Sequence, residues 1–159
     1  MQEKRRGMLV VISGPSGTGK GTLAHMLLEA DANLRFSVSV TTRKPRDYEV
    51  EGVHYYFVSD AEYDALLEKD ALLEHATVHA HRYGTPRAPI ERLLDEGKSV
   101  LLDIDPQGAR EVIRKCPDCV SIFILPPTYA ALRERLHTRN TEDPVEIKRR
   151  LNTARGEIE

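Results

Sequence analysis

The sequence predicts an α/β fold, a parallel sheet core flanked by helices with an inserted mixed β/α subdomain, and three observations predict it. Short continuous apolar runs alternate with stretches of helical periodicity, the pattern that gives a parallel sheet covered by helices. A glycine-rich segment stands between the first apolar run and the first helix, where an open sheet of this class faces its ligand. Between that helix and Ser99 the texture changes to short strand-like runs broken by turns, which reads as an insertion into the core.

Taken in order, Met8 to Ile12 is the first buried strand, and Leu23, Met26, Leu27 and Ala30 recur at helical spacing directly after the glycines. Phe36 to Thr42, His54 to Val58 and His75 to His81 read as the short strands of the insertion, with a helix from Ala61 to Lys69 among them. Glu91 to Glu96 is a helix closed by Gly97, since glycine accepts the left-handed conformation that ends a helix. Ser99 to Ile104 and Val120 to Leu125 are continuous apolar runs and read as central strands, joined by a helix from about Gly108 to Lys115. Tyr129 to Leu136 and Pro144 to Ala154 are the last two helices, and no segment repeats another.

At 159 residues the chain is the size of one domain and long enough to bury a core. Its 40% apolar and 30% charged residues exclude a disordered chain. A net charge of -2 excludes a surface given over to nucleic acid, so any basic function is local. The run Met8 to Ile12 is far too short to span a bilayer and Met1 to Gly7 is charged rather than a secretory leader, so the expectation is a cytoplasmic protein with no membrane partner. Cys116 and Cys119 form a C-x-x-C that lacks further ligands for zinc and precedes a strand instead of opening a helix, as a redox motif would. His79 and His81 would be same-face neighbours on a strand with no third ligand nearby, and read as partly solvated surface residues.

The strongest chemical signal is Gly14-Pro15-Ser16-Gly17-Thr18-Gly19-Lys20, which fits G-x-x-x-x-G-K between a strand and a helix. Glycines let the backbone wrap a phosphate chain, successive N–H groups point inward, the helix start adds a positive dipole, and Lys20 reaches the outer phosphates. The residue after Lys20 is Gly21, where Ser or Thr would place a hydroxyl on Mg²⁺, and Thr22 follows. Either Thr22 substitutes, or the ion is held by water, nucleotide oxygens and an acid elsewhere. Asp103, at the end of the run Val100-Leu101-Leu102, is such an acid, because strand ends face the ligand crevice in an open α/β sheet. Asp105 either joins it or caps the next helix.

These residues carry a resemblance from about Gly7 to the end of the sequence. Ser13 to Thr22, Ser37-Val38-Ser39-Val40-Thr41-Thr42-Arg43-Lys44-Pro45-Arg46, Leu102-Asp103-Ile104-Asp105-Pro106-Gln107-Gly108 and Ser121-Ile122-Phe123-Ile124-Leu125-Pro126-Pro127 together resemble guanylate kinase, a P-loop nucleoside monophosphate kinase. The resemblance implies a P-loop NTPase fold in one domain over 1–159, with its core at 7–36 and 86–134, a GMP-binding subdomain at 37–85 and a small lid at about 135–150. It implies transfer of the γ-phosphoryl group of ATP to GMP, with Mg²⁺ accompanying ATP. ATP would lie on Gly14, Pro15, Ser16, Gly17, Thr18, Gly19, Lys20, Gly21 and Thr22, and Thr22 and Asp103 would be the metal's protein neighbours.

On the acceptor side the resemblance implies that Arg43 and Arg46 clamp the GMP phosphate, helped by the hydroxyls of Tyr55 and Tyr83, and that Asp103 stands near both GMP and metal. Forked guanidinium donors suit a phosphate dianion. Ser39 and Glu74 would read guanine: a carboxylate accepts from N1 and N2 while a hydroxyl donates to O6, a pattern adenine does not offer. Arg135, Arg139 and Arg150 match arginines of a lid that closes over the transferring group. By charge alone, Arg43-Lys44-Pro45-Arg46 and Lys148-Arg149-Arg150 read as solvated runs; their match to motif positions gives them phosphate roles. Asn140 stands where the family has glycine after the lid arginine, and the family continues past the position of Glu159 with a further core strand and a final helix. A kinase for another phosphorylated acceptor, such as a ribose bisphosphate, is opposed by the Ser39 and Glu74 pair. A phosphopeptide-binding module of the same fold is opposed by the intact Gly14 to Lys20 loop and Asp103.

Overall fold

The computed structural model describes residues 5–138 and 143–158. Along the chain the order is β1 (Leu9–Ser13), α1 (Lys20–Ala30), β2 (Leu34–Phe36), β3 (Ser39–Thr41), β4 (Tyr55–Phe57), α2 (Asp60–Glu68), β5 (Leu72–Val78) and β6 (His81–Pro86). It continues with α3 (Arg87–Asp95), β7 (Ser99–Asp103), α4 (Pro106–Lys115), β8 (Val120–Phe123), α5 (Tyr129–Thr138) and α6 (Pro144–Ile158). No helix among the described residues is long and apolar enough to cross a membrane.

The core sheet has the order β2-β7-β1-β8 and every pairing in it is parallel. Its central strands are unbroken apolar runs because both of their faces are buried. Val11, Val100 and Leu102 pack with Ile90 and Leu94 of α3 and Ala109 and Val112 of α4 on one face, and Ile12 and Leu101 pack with Ala24 of α1 on the other. β7 is central, as its composition predicts, but β8 is not: it pairs with β1 and all four of its residues are exposed. Continuous apolarity in β8 therefore does not report burial among the described residues.

The second sheet, β4-β3-β6-β5, is mixed, with β3 parallel to β4 and the other pairs antiparallel. It has its own apolar cluster of Val40, Tyr63 and Leu72. The single strand expected over Phe36 to Thr42 is two strands in different sheets: Ser37 N–H still bonds the Leu101 carbonyl of β7, and the chain crosses to β3 at Val38. The strand expected over His75 to His81 is instead a hairpin. His79 and Ala80, with φ of 49° and 66°, form its two-residue turn, so His79 and His81 are not strand neighbours on one face. α3 starts at Arg87, four positions before Glu91, and Pro89 sits in its first turn, where no backbone donor is needed. The outer edge of β5 is held by side chains of α4, Lys115 donating to the Leu73 carbonyl at 2.7 Å and Glu111 accepting from His75 N–H at 3.1 Å. α5 and α6 close on each other through Leu132, Leu136, Ile147, Leu151 and Ala154.

Candidate active site

β1 delivers the chain into the glycine loop at the carboxyl end of the core sheet. Gly14 has φ 143°, and a Cβ there would stand 2.3 Å from the Ile124 carbonyl oxygen, so no larger residue fits the turn. α1 opens at Lys20 with no side-chain cap and no acidic residue in its first turn, which leaves its N–H groups and dipole to an anion. Lys20 Nζ donates to the carbonyls of Gly14 at 2.9 Å and Pro15 at 3.2 Å, lying across the loop. Thr18 Oγ1 donates to the Pro15 carbonyl at 2.8 Å and braces the loop from inside.

The loop forms one wall of a cavity of about 350 Å³. Gly14, Ser16, Gly17, Gly19, Lys20 and Gly21 line that wall, with Asp103 from the end of β7 beside them. Ser39, Tyr55, Glu74 and Tyr83 line it from the second sheet, and Arg150, Thr153 and Glu157 from α6. Pro15 and Thr18 are buried behind the loop, and Thr22 is exposed on α1 outside the lining. Arg135 is exposed on α5 outside it as well, while Arg139 and Asn140 lie outside the described residues. Thr153 and Glu157 escaped the sequence reading; their signal is the i, i+3, i+7 spacing from Arg150, which puts all three on one helix face.

Glu74 is the most unusual group in the cavity, a carboxylate 2% exposed. Thr85 Oγ1 donates to its Oε1, and Gly108 of α4 lies so close that a Cβ there would be 2.3 Å from Oε2. Burial pushes the Glu74 carboxyl up to about 7, against the Thr85 hydrogen bond, with the charges of Asp105 and Glu111 adding to the rise and Lys115 opposing it. Thr85 was not foreseen, although it lies two residues from Tyr83 along β6 and so shares its face.

Arg43 does not line the cavity. Its guanidinium is forked onto Glu49 at 2.7 and 3.0 Å and lies 5.4 Å from the centre of the Tyr55 ring, which in turn packs edge-on against Tyr83 at 5.9 Å. The Glu49 bond is the largest cause that raises Arg43 above its usual range, and it holds Glu49 below the usual carboxylate range. Glu49, only 4% exposed at its side chain, thus sets where Arg43 sits, a role that nothing in its isolated sequence position announces. Arg46 is exposed, with its Nη1 on the Tyr48 hydroxyl at 3.0 Å and its backbone N–H on Glu49.

Burial raises the Asp103 carboxyl while the charge of Lys20 lowers it. A Cβ added to Gly21 would stand 4.0 Å from Asp103 Oδ2, so the place a Ser or Thr hydroxyl would take beside this acid is open. Among the described residues no group of three or more His, Cys, Asp or Glu is placed to hold a metal. Asp105 caps α4, accepting from Gln107 N–H at 3.0 Å and Gly108 N–H at 3.4 Å. Cys116 and Cys119 flank a turn closed by Cys119 N–H on the Cys116 carbonyl at 3.0 Å and pack against the core cluster, away from the cavity lining.

A guanylate kinase family model matches residues 6–159. The chain is 54% identical over 156 residues to a guanylate kinase of Leifsonia xyli subsp. xyli, covering 98% of this chain and 61% of the relative. It is 52% identical over 159 residues to one of Rhizobium etli, covering 99% of this chain and 72% of the relative. The crystal structure of guanylate kinase from Anaplasma phagocytophilum superposes with a TM-score of 0.78 at 39% identity, over 97% of this chain and 71% of that one. The phosphate loop, the parallel sheet with its inserted second sheet, and these matches over nearly all of the sequence agree: the chain belongs to the guanylate kinase family.

Proposed function

We propose that this chain transfers the γ-phosphoryl group of ATP to the phosphate of GMP, giving ADP and GDP. The observation that carries the reading is Glu74, a carboxylate buried to 2% exposure yet lining the same cavity as the phosphate loop. A buried carboxylate needs donors, and the N1 and N2 hydrogens of guanine supply two; Ser39 lines the same cavity, and its hydroxyl is the donor assigned to O6.

GMP brings its own anionic nucleophile, so the protein has no proton to remove. Lys20 meets the outer ATP phosphates, Tyr55 and Tyr83 line the cavity for the acceptor phosphate, Arg43 and Arg46 reach that phosphate by turning from Glu49 and Tyr48, and Arg150 and Lys20 oppose the charge that gathers as the phosphoryl group moves. The insertion and α6 wall the cavity and keep out water, which would otherwise take the phosphoryl group. Mg²⁺ fits as a companion of ATP: Asp103 would hold it or its waters beside the open space at Gly21, and bound there it would neutralise phosphate oxygens. Thr22, exposed on α1, has no part in this arrangement. A cytoplasmic location, where both nucleotides are found, goes with the reading. ADP release measured with ATP and a panel of nucleoside monophosphates tests it; efficient transfer to AMP or none to GMP would overturn it.

A proton balance follows from Glu74. Burial holds its carboxyl up at about 7, and two donors from guanine stabilise the ionised form, so binding drives the proton off. Titration calorimetry of GMP at about pH 6, in two buffers of different ionisation enthalpy, should show proton release that exceeds that of Glu74→Gln by close to one proton, the release left in the variant coming from the GMP phosphate, whose second pKa is about 6. The difference should vanish by about pH 8, where both groups are already ionised. Equal proton release from the two proteins at the lower pH would contradict the assignment.

A further inference from the structure

One carboxylate near the cavity has no part in the reaction as described. Glu146 lies in the first turn of α6, where a negative charge suits the helix dipole. Its Oε1 is 2.9 Å from Arg149 Nη2, 3.5 Å from Arg150 Nε and 3.7 Å from His79 Nδ1. Arg150 extends from there to the phosphate loop, its Nη1 donating to Ser16 Oγ at 3.3 Å. His79 belongs to the tip of the β5–β6 hairpin, and Arg149 Nη2 stands 3.0 Å from its Nδ1. Arg150 and Glu146 are 16% and 28% exposed at their side chains, shielded enough for their charges to fix geometry, whereas Arg149 at 52% is largely solvated.

An arginine is long and loses much freedom when it is fixed on a ligand. An ion pair at its Nε edge, here 3.5 Å long and not a hydrogen bond, draws that edge toward Glu146 while Nη1 stays on the phosphate loop, and so removes part of that cost beforehand. Arg149 Nη2 donates both to Glu146 Oε1 and to His79 Nδ1, so the hairpin tip is tied to the same carboxylate through Arg149 when it lies against α6. We propose that Glu146 is a positioning residue for Arg150, and that His79 ties that position to the seating of the acceptor hairpin. The proposal rests on the phosphoryl-transfer reading above for its kinetic form.

Glu146→Gln keeps the size of the side chain and removes its charge. Its kcat is expected to fall about tenfold with KM for GMP within about twofold, because the lost order matters most when the phosphoryl group is in transit. In an Arg150→Met background the same change should cost nothing more, since the group it positions is gone. Undiminished kcat in Glu146→Gln, or a full additive loss in the double variant, overturns the proposal. If the unmodified protein forms no ADP with GMP, the reading of the reaction fails, and amide hydrogen exchange then decides the positioning by itself. Faster exchange in Glu146→Gln at both the 76–83 hairpin and the start of α6 supports the tie; unchanged exchange at either overturns it.

Discussion

Replacing Lys20 with Met is expected to lower kcat by about a hundredfold or more while GMP still binds. Lys20 heads α1 and its ammonium lies across the loop against the carbonyls of Gly14 and Pro15. In the proposed transfer this cation faces the phosphate oxygens as they gather charge, so its attraction grows toward the transition state. Met matches its length and helix propensity, so loop and helix should survive the change. Single-turnover rates with saturating ATP and GMP, beside GMP binding measured separately, distinguish loss of chemistry from loss of structure. Unchanged turnover in a folded variant would remove Lys20 from the mechanism.

Glu74→Ala should lower kcat/KM for GMP by about a hundredfold or more, given about 1.5–3 kcal/mol for each hydrogen bond to a charged group. The side chain is 2% exposed, so it is no solvated turn residue, the plain alternative for an isolated glutamate. Removing it leaves the donors of guanine facing an empty space and the Thr85 hydroxyl without its acceptor. KM for ATP should hardly move, because the phosphate loop forms a different wall of the cavity. Kinetics with GMP and AMP on both proteins are the measurement. A GMP efficiency within about threefold of the parent is less than one lost charged hydrogen bond, and would withdraw guanine as the base that is read.

The elements legible in the sequence were those whose composition follows directly from burial. β1 and β7 are buried on both faces and their apolar runs give them away. The β5–β6 hairpin was not legible, because its turn is His79-Ala80, two residues in the left-handed region with none of the Asn or Gly that announces one. Nor was the crossing between sheets at Ser37-Val38, where no glycine or proline marks a break. In the cavity, Lys20, Ser39, Tyr55, Glu74, Tyr83, Asp103 and Arg150 come together from five strands and two helices, a gathering that the resemblance anticipated and no local spacing could. Thr85 and Glu49 were missed for one physical reason. Each acts through a neighbour, Thr85 on Glu74 and Glu49 on Arg43, and partners of that kind exist only once the chain is folded.

The two sheets meet at Leu73 of β5, which packs into the core cluster with Val11, Val100 and Leu102, and the cluster that the insertion has to itself is thin. The core cluster numbers ten buried residues, Leu73 among them, against Val40, Tyr63 and Leu72 in the insertion, and α4 adds polar ties to β5 at the Leu73 carbonyl and His75 N–H. Warming weakens a small cluster to the point of local opening while the larger one still holds. The strands β3, β4 and β6, which carry Ser39, Tyr55 and Tyr83, are therefore expected to open on warming before the parallel sheet, to which Leu73 anchors β5; loss of transfer activity below the melting temperature of the parallel sheet is the expected result, and loss of both together would contradict it.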